Sequence, residues 1–143
     1  MKQSPEIEKL MRDIVAAIDR GDTASVERSL SHEPGVVMIG TSPDEYTRTQ
    51  GAMHKLLEDS TPEGPLHLHV ALDDVSGYEE GDVAWSDSTG TFKRDNDTVP
   101  VRFTSVFRRE QGEWRCVQTH SSFGVPNELM FDATLRTDQA ARA

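Results

Sequence analysis

The sequence predicts an α+β domain in which three N-terminal helices cover one face of a curved antiparallel sheet. Three observations predict it. Apolar residues at helical spacing are confined to the N-terminal part of the chain. From Leu66 onward, apolar and polar residues alternate with the period of strands. Short polar turns containing glycine or asparagine join those strands as hairpins, and such segregation of helices from strands marks this class.

The first helix is expected over residues 4–20. Ser4 can cap it, Pro5 suits its first position, and Glu6 and Glu8 favour the positive end of its dipole. Ile7, Leu10, Met11, Ile14, Val15 and Ile18 form one apolar stripe, and Gly21 stops it. Asp22 or Thr23 caps a short second helix with Val26 and Leu30 inward, broken by Pro34-Gly35. Residues 36–39, Val-Val-Met-Ile, form a short buried strand closed by Gly40. After a loop over residues 41–48, a third helix runs from about Thr49 to Glu58, with Met53, Leu56 and Leu57 inward. The cluster Thr61-Pro62-Glu63-Gly64-Pro65 is a turn. In the strand that follows, Leu66, Leu68, Val70 and Leu72 face inward, with His67 and His69 outward. Three more strands cover residues 83–92, 99–109 and 114–123, with Val101, Phe103, Ser105 and Phe107 sharing one face. Long strands bend with the twist of a sheet, and a bent sheet roofed by helices leaves a hollow for a small ligand. One domain over residues 1–136 is expected, with a frayed polar tail over 137–143.

Composition excludes several function classes. Among 143 residues, 15 are Lys or Arg and 25 are Asp or Glu, a net charge of −10. Such a chain lacks the cations that displace counterions from nucleic-acid phosphates, and it is a poor partner for an anionic membrane surface. No run approaches the length of a membrane span. The single cysteine, Cys116, cannot form an intrachain disulfide, and the charged N-terminus lacks the apolar run of a signal peptide, so a cytoplasmic location is expected. No zinc-ligand spacing occurs; His67 and His69 share a strand face, one geometry for a metal pair, but no third ligand is marked, and neither a metal nor a cofactor is expected.

Particular passages carry a family resemblance. The run Val36-Val37-Met38-Ile39-Gly40-Thr41 followed by Glu45-Tyr46, the GDVAW run over residues 81–85, and residues 101–128 with Trp114, His120 and Ser122 after a Glu-Gly turn resemble SnoaL-like domains of the nuclear transport factor 2-like superfamily. With the leading helix, these features span almost the whole chain. The resemblance implies a cone-shaped α+β roll, also called cystatin-like, usually homodimeric, with a pocket inside the cone. The superfamily hosts isomerases, dehydratases, cyclases, hydrolases and non-catalytic domains, so the likeness is specific for fold and not for chemistry.

Strand alternation places Trp114, Cys116, Gln118 and His120 on one face. A neutral imidazole both donates and accepts, so His120 either relays protons in the pocket or fixes the strand end. Gln118 orients a ligand oxygen or pairs with a neighbouring strand, and Trp114 packs against the first helix. Trp85 and Asp87 share a face. Turned inward, Asp87 is a desolvated carboxylate suited to general-base work; turned outward, it is solvated and Ala84 and Ser86 face the core. Tyr46, at the mouth of such a fold, donates to a ligand oxygen or packs over its loop, while Glu45 reads as a loop-fixing acceptor. Cys116 reads as a buried small side chain. The expected ligand set is Tyr46, Trp85, Phe103, Gln118 and His120, with His120, Asp87 and Tyr46 as acid–base candidates. The ligand is a small apolar or carbonyl-bearing molecule. A homodimer through the outer sheet face accounts for Arg102, Thr104, Val106 and Arg108 beside Arg115, Val117 and Thr119. A small-molecule-binding protein, an isomerase or dehydratase or polyketide-cyclase type of enzyme, and a non-catalytic association module are the readings this allows.

Overall fold

The computed structural model describes residues 1–132. The expected tail over residues 137–143 lies outside them. Three helices, α1 (Pro5–Asp19), α2 (Thr23–Ser29) and α3 (Gln50–Asp59), accompany seven strands. These are β1 (Lys2–Gln3), β2 (Val37–Ile39), β3 (Tyr46–Thr47), β4 (His69–Glu80), β5 (Val83–Arg94), β6 (Asp97–Glu110) and β7 (Glu113–Phe123), in one sheet of order β1-β4-β5-β6-β7-β2-β3. The α+β class holds, with one correction: β2 pairs parallel to β7, so the curved sheet is mixed, not wholly antiparallel.

The helix caps follow the sequence. Ser4 sits in extended geometry and its Oγ accepts from the Ile7 amide at 3.3 Å. Asp22 caps α2 through Ser25, and Thr49 caps α3 through Ala52. Helix α1 is also stapled to β4 at both ends. The Ser4 amide donates to Gly77 O at 2.8 Å, and the Ser4 hydroxyl donates to Glu79 Oε2 at 2.5 Å. At the other end, Asp19 Oδ1 accepts from the Val70 amide at 2.9 Å. The stripe from Ile7 through Met11 and Val15 is buried against the sheet with Ala84, Phe107 and Trp114. Leu10, Ile14 and Ile18 on the same helix stay partly exposed beside that core.

Two β-bulges decide which side chains face the helices. Along β4, Leu72 opposes Gly90 but Val75 opposes Ser88, so one extra residue is absorbed at Asp73-Asp74. Along β7, Cys116 opposes Phe107 but Gln118 opposes Val106, so Val117 is the extra residue. A bulge bends its strand and shifts the in–out alternation by one position. Two strand expectations change, the second because of a bulge. Strand β4 begins at His69, leaving Leu66 and Leu68 in the connection before it, and Thr119 turns from the outer face to the inner one. Residues 46 and 47, expected as loop, pair as β3 with β2.

Candidate functional site

Between the helices and the concave face of the sheet lies a cavity of about 370 Å³. Its roof is the α1 stripe of Met11, Ile14, Val15 and Ile18, and its end wall is Val26 of α2 and Leu30 just after it with Leu56 and Leu57 of α3. Phe92, Phe103, Ser105, Cys116, Thr119 and Ser121 of the sheet make its floor. The solvent-facing rim is formed by residues 40–42, 44, 45, 59 and 60 with Pro65 and Leu66. The partial exposure of Ile14 and Ile18 is thus the signature of a space the core does not fill. Cavities of this size and apolar character bind small molecules.

The polar groups of the floor are hydroxyls. Ser105 Oγ lies 3.3 Å from Thr119 Oγ1 and 3.6 Å from Met11 Sδ. Cys116 is buried, which pushes its thiol up to about 12, so it is neutral and not a nucleophile at physiological pH. The rim carries carboxylates. Glu45 lies across Gly40, where a Cβ would run into Glu45 Oε2, and Gly40 donates its amide to Glu45 O at 2.7 Å. Burial, then the nearby Asp44 and Asp59 charges, raise the Glu45 carboxyl above its ordinary value against an opposing backbone hydrogen bond from Ser42. Asp44 accepts from the Ser42 hydroxyl, which lowers its carboxyl. Asp59 pairs with Lys55 at 2.6 Å. Among the described residues, no Lys, Arg or His side chain lines this cavity.

Of the expected ligand and acid–base residues, Phe103 lies in the cavity floor, edge-on to Phe92 with ring centroids 6.1 Å apart. Tyr46, Trp85, Asp87, Gln118 and His120 do not border the cavity. Gln118 and His120 were expected to look into it, but the Val117 bulge turns both to the outer face, where they are exposed, and puts Thr119 and Ser121 inside instead. Trp85 and Asp87 also face outward, because Ala84, Ser86 and Ser88 take the inner positions of β5. Trp85 stacks on Tyr78 across the outer face, ring centroids 6.3 Å apart. Tyr46 is 56% exposed, and its hydroxyl accepts from Arg48 Nη2 at 3.2 Å while its ring lies under that guanidinium. His67 and His69 are exposed, as expected. Trp114 is core, as expected, and its Nε1 donates to Glu6 Oε2 at 3.3 Å.

Sequence reasoning placed Glu45 in the loop but gave it no part in the pocket. Its adjacency to Gly40 was the available signal, since a carboxylate can lie that close to the backbone only where no side chain intervenes. Asp59, Thr119 and Ser121 carried no local signal.

Comparison with known proteins agrees with this fold. The model of the SnoaL-like domain matches residues 7–126. No curated protein matches the chain. Several solved structures share the fold. An NTF2-like protein of unknown function from Pseudomonas putida KT2440 is 16% identical, with 89% of this chain and 93% of that one covered and a TM-score of 0.72. A candidate dehydratase of the NTF2-like family from Streptomyces avermitilis is 16% identical, covering 84% and 96%, with a TM-score of 0.69. An NTF2-like protein with a cystatin-like fold from Novosphingobium aromaticivorans is 17% identical, covering 96% and 84%, with a TM-score of 0.65. At these identities the likeness is one of fold.

Proposed function

This chain belongs to the SnoaL-like family, and from that premise we propose that it is a homodimeric protein binding a small apolar molecule in its conical cavity. The observation that carries the proposal is the cavity itself: about 370 Å³ walled by aliphatic and aromatic side chains from all three helices and the sheet. An association module has no use for such a space, because burying the same side chains would stabilise it further. The outer sheet face supports the pairing. Tyr78, Trp85 and Val106 form a half-buried apolar row there, bordered by Asp87, Thr104, Gln118 and His120. An aromatic centre with a polar rim is the usual anatomy of an interface. In this proposal the protein is cytoplasmic, consistent with its one free, buried thiol. Among the described residues no helix is long and apolar enough to cross a membrane.

Nile red, a neutral apolar dye, tests the cavity. Its fluorescence should rise on binding, and Thr119→Trp, which fills the floor, should abolish the rise. Equal binding by a folded Thr119→Trp variant would refute the reading. Light scattering tests the pairing: a dimer is expected, and Trp85→Lys should yield monomers that still bind the dye.

Acid–base catalysis remains a second reading because of one group. His120, Asp87 and Tyr46 do not border the cavity, but the Glu45 carboxyl does, with a raised proton affinity suited to general-base work. Exchange of an α-proton of a bound ketone with solvent, lost in Glu45→Gln, would establish it. Binding without exchange leaves the protein a carrier.

A further inference from the structure

We propose that the cavity takes an apolar molecule bearing a protonated amine, with the hydrocarbon inside and the ammonium at the carboxylate rim. The proposal rests on the cavity reading above and specifies the ligand's charge. The enclosed apolar space calls for a ligand on its own account. The rim decides which polar head that ligand can carry.

An anionic head has no counterpart, since among the described residues no Lys, Arg or His side chain lines the cavity. A carboxylate or phosphate would meet Asp44, Glu45 and Asp59 instead, in a chain of net charge −10. A cationic head meets the opposite situation. Lys55, 74% exposed at its side chain, is engaged by Asp59 through its i,i+4 pairing. Asp44 and Glu45 take their hydrogen bonds from Ser42 and have no cationic partner among the described residues. The C-terminal end of α3, the negative end of its dipole, reaches the rim at Asp59 and Ser60 and adds to the same sign.

Glu45 carries most of the effect, because it is half-buried where Asp44 is exposed and Asp59 is already paired with Lys55, and an ion pair strengthens as water is withdrawn. The burial and neighbouring charges that hold its carboxyl above the ordinary range are relieved when an ammonium sits beside it. Binding therefore releases a proton from any protonated Glu45, and affinity falls as pH falls through that group's range.

The test is calorimetric titration with three molecules of one skeleton: 4-phenylbutylamine, 4-phenylbutanol and 4-phenylbutyrate. The amine should bind at least about tenfold more tightly than the alcohol, and the carboxylate most weakly. Added salt should narrow the gap. Glu45→Gln should reduce the amine-to-alcohol affinity ratio about fivefold or more. Asp44→Asn, whose side chain is exposed, should reduce it less. Alcohol binding as tight as amine binding overturns the proposal and leaves the cavity reading standing. An amine advantage that survives both substitutions overturns it too. Failure of all three molecules and of Nile red to bind overturns both readings together.

Discussion

Gly77→Ala is the substitution that most directly tests how α1 is held over the cavity. A Cβ at position 77 would lie 2.8 Å from Ser4 O and 2.9 Å from the Glu8 amide nitrogen. Both atoms belong to the backbone of the first turn of α1 and its cap, so neither can rotate away. The helix must lift, and in lifting it stretches the 2.8 Å bond from the Ser4 amide to Gly77 O and the contact between Ser4 and Glu79. Overpacking of this kind costs about 1–3 kcal/mol, and loss of one such hydrogen bond adds about 1 kcal/mol. In a domain near this size the melting temperature falls by about 2–4 °C per kcal/mol, giving a drop of roughly 4–16 °C. Gly51→Ala is the matched control. It lies in α3 with no atom within 4 Å of its would-be Cβ, so the change should be neutral or stabilising by up to about 1 kcal/mol. Urea denaturation of the two variants beside the unsubstituted protein gives both signs in one experiment. If Gly77→Ala unfolds at the same urea concentration as the parent, α1 is not seated on β4 as described.

Further predictions concern groups elsewhere in the fold. His54 Nδ1 contacts Glu27 Oε1 of α2 and its Nε2 lies 3.0 Å from Glu58, and these carboxylates raise the imidazole above its ordinary 6.5. A raised folded value means the contribution is present below that range and lost as pH rises through it. The melting-temperature difference between the parent and His54→Gln should be largest near about pH 5.5 and vanish by about pH 9; a constant difference would remove the imidazolium from the link between α2 and α3. Cys116, with its thiol pushed up to about 12, should react with an aromatic disulfide reagent only after denaturation, and rapid labelling of the native protein at mildly alkaline pH would show that the cavity floor is open to solvent. Phe107 is 0% exposed at the centre of the core, so Phe107→Ala should cost about 3–5 kcal/mol by chemical denaturation; less than about 1 kcal/mol would mean the site collapses around the deletion.

Much of the fold was legible because its signals are local. Ser4 and Pro5 announce α1, Thr49 announces α3, and the polar turns at residues 81–82 and 111–112 set the hairpins. The site was less legible because its parity is not local. Alternation read forward from Trp114 through Cys116 gives His120 an inward direction, and it does so correctly for an unbroken ladder. The residue that breaks the ladder, Val117, has the composition of an ordinary strand position. Its insertion follows from how β6 and β7 must bend under the helices, which is a property of the assembled sheet.

Strand β5 was ambiguous for a different reason. Alternation allows either Trp85 and Asp87 or Ala84 and Ser86 on the inner face, and the structure takes the second, so Trp85 does not join the ligand set. The cause lies in α1, whose first turn approaches β4 so closely at Gly77 that no Cβ fits. Under a helix seated that low, the neighbouring inner positions must also be small, and they are Ala84, Ser86 and Ser88. The two serine hydroxyls have no hydrogen-bond partner among the described residues, a desolvation cost accepted where bulk is excluded. Farther along the sheet the inner positions are Phe92 and Phe103, which line the cavity floor under a helix tied to β4 at both ends and do not fill it. The large side chains kept out of the crowded inner positions, Tyr78 and Trp85, stand stacked on the outer face, where the second copy of the proposed dimer would cover them.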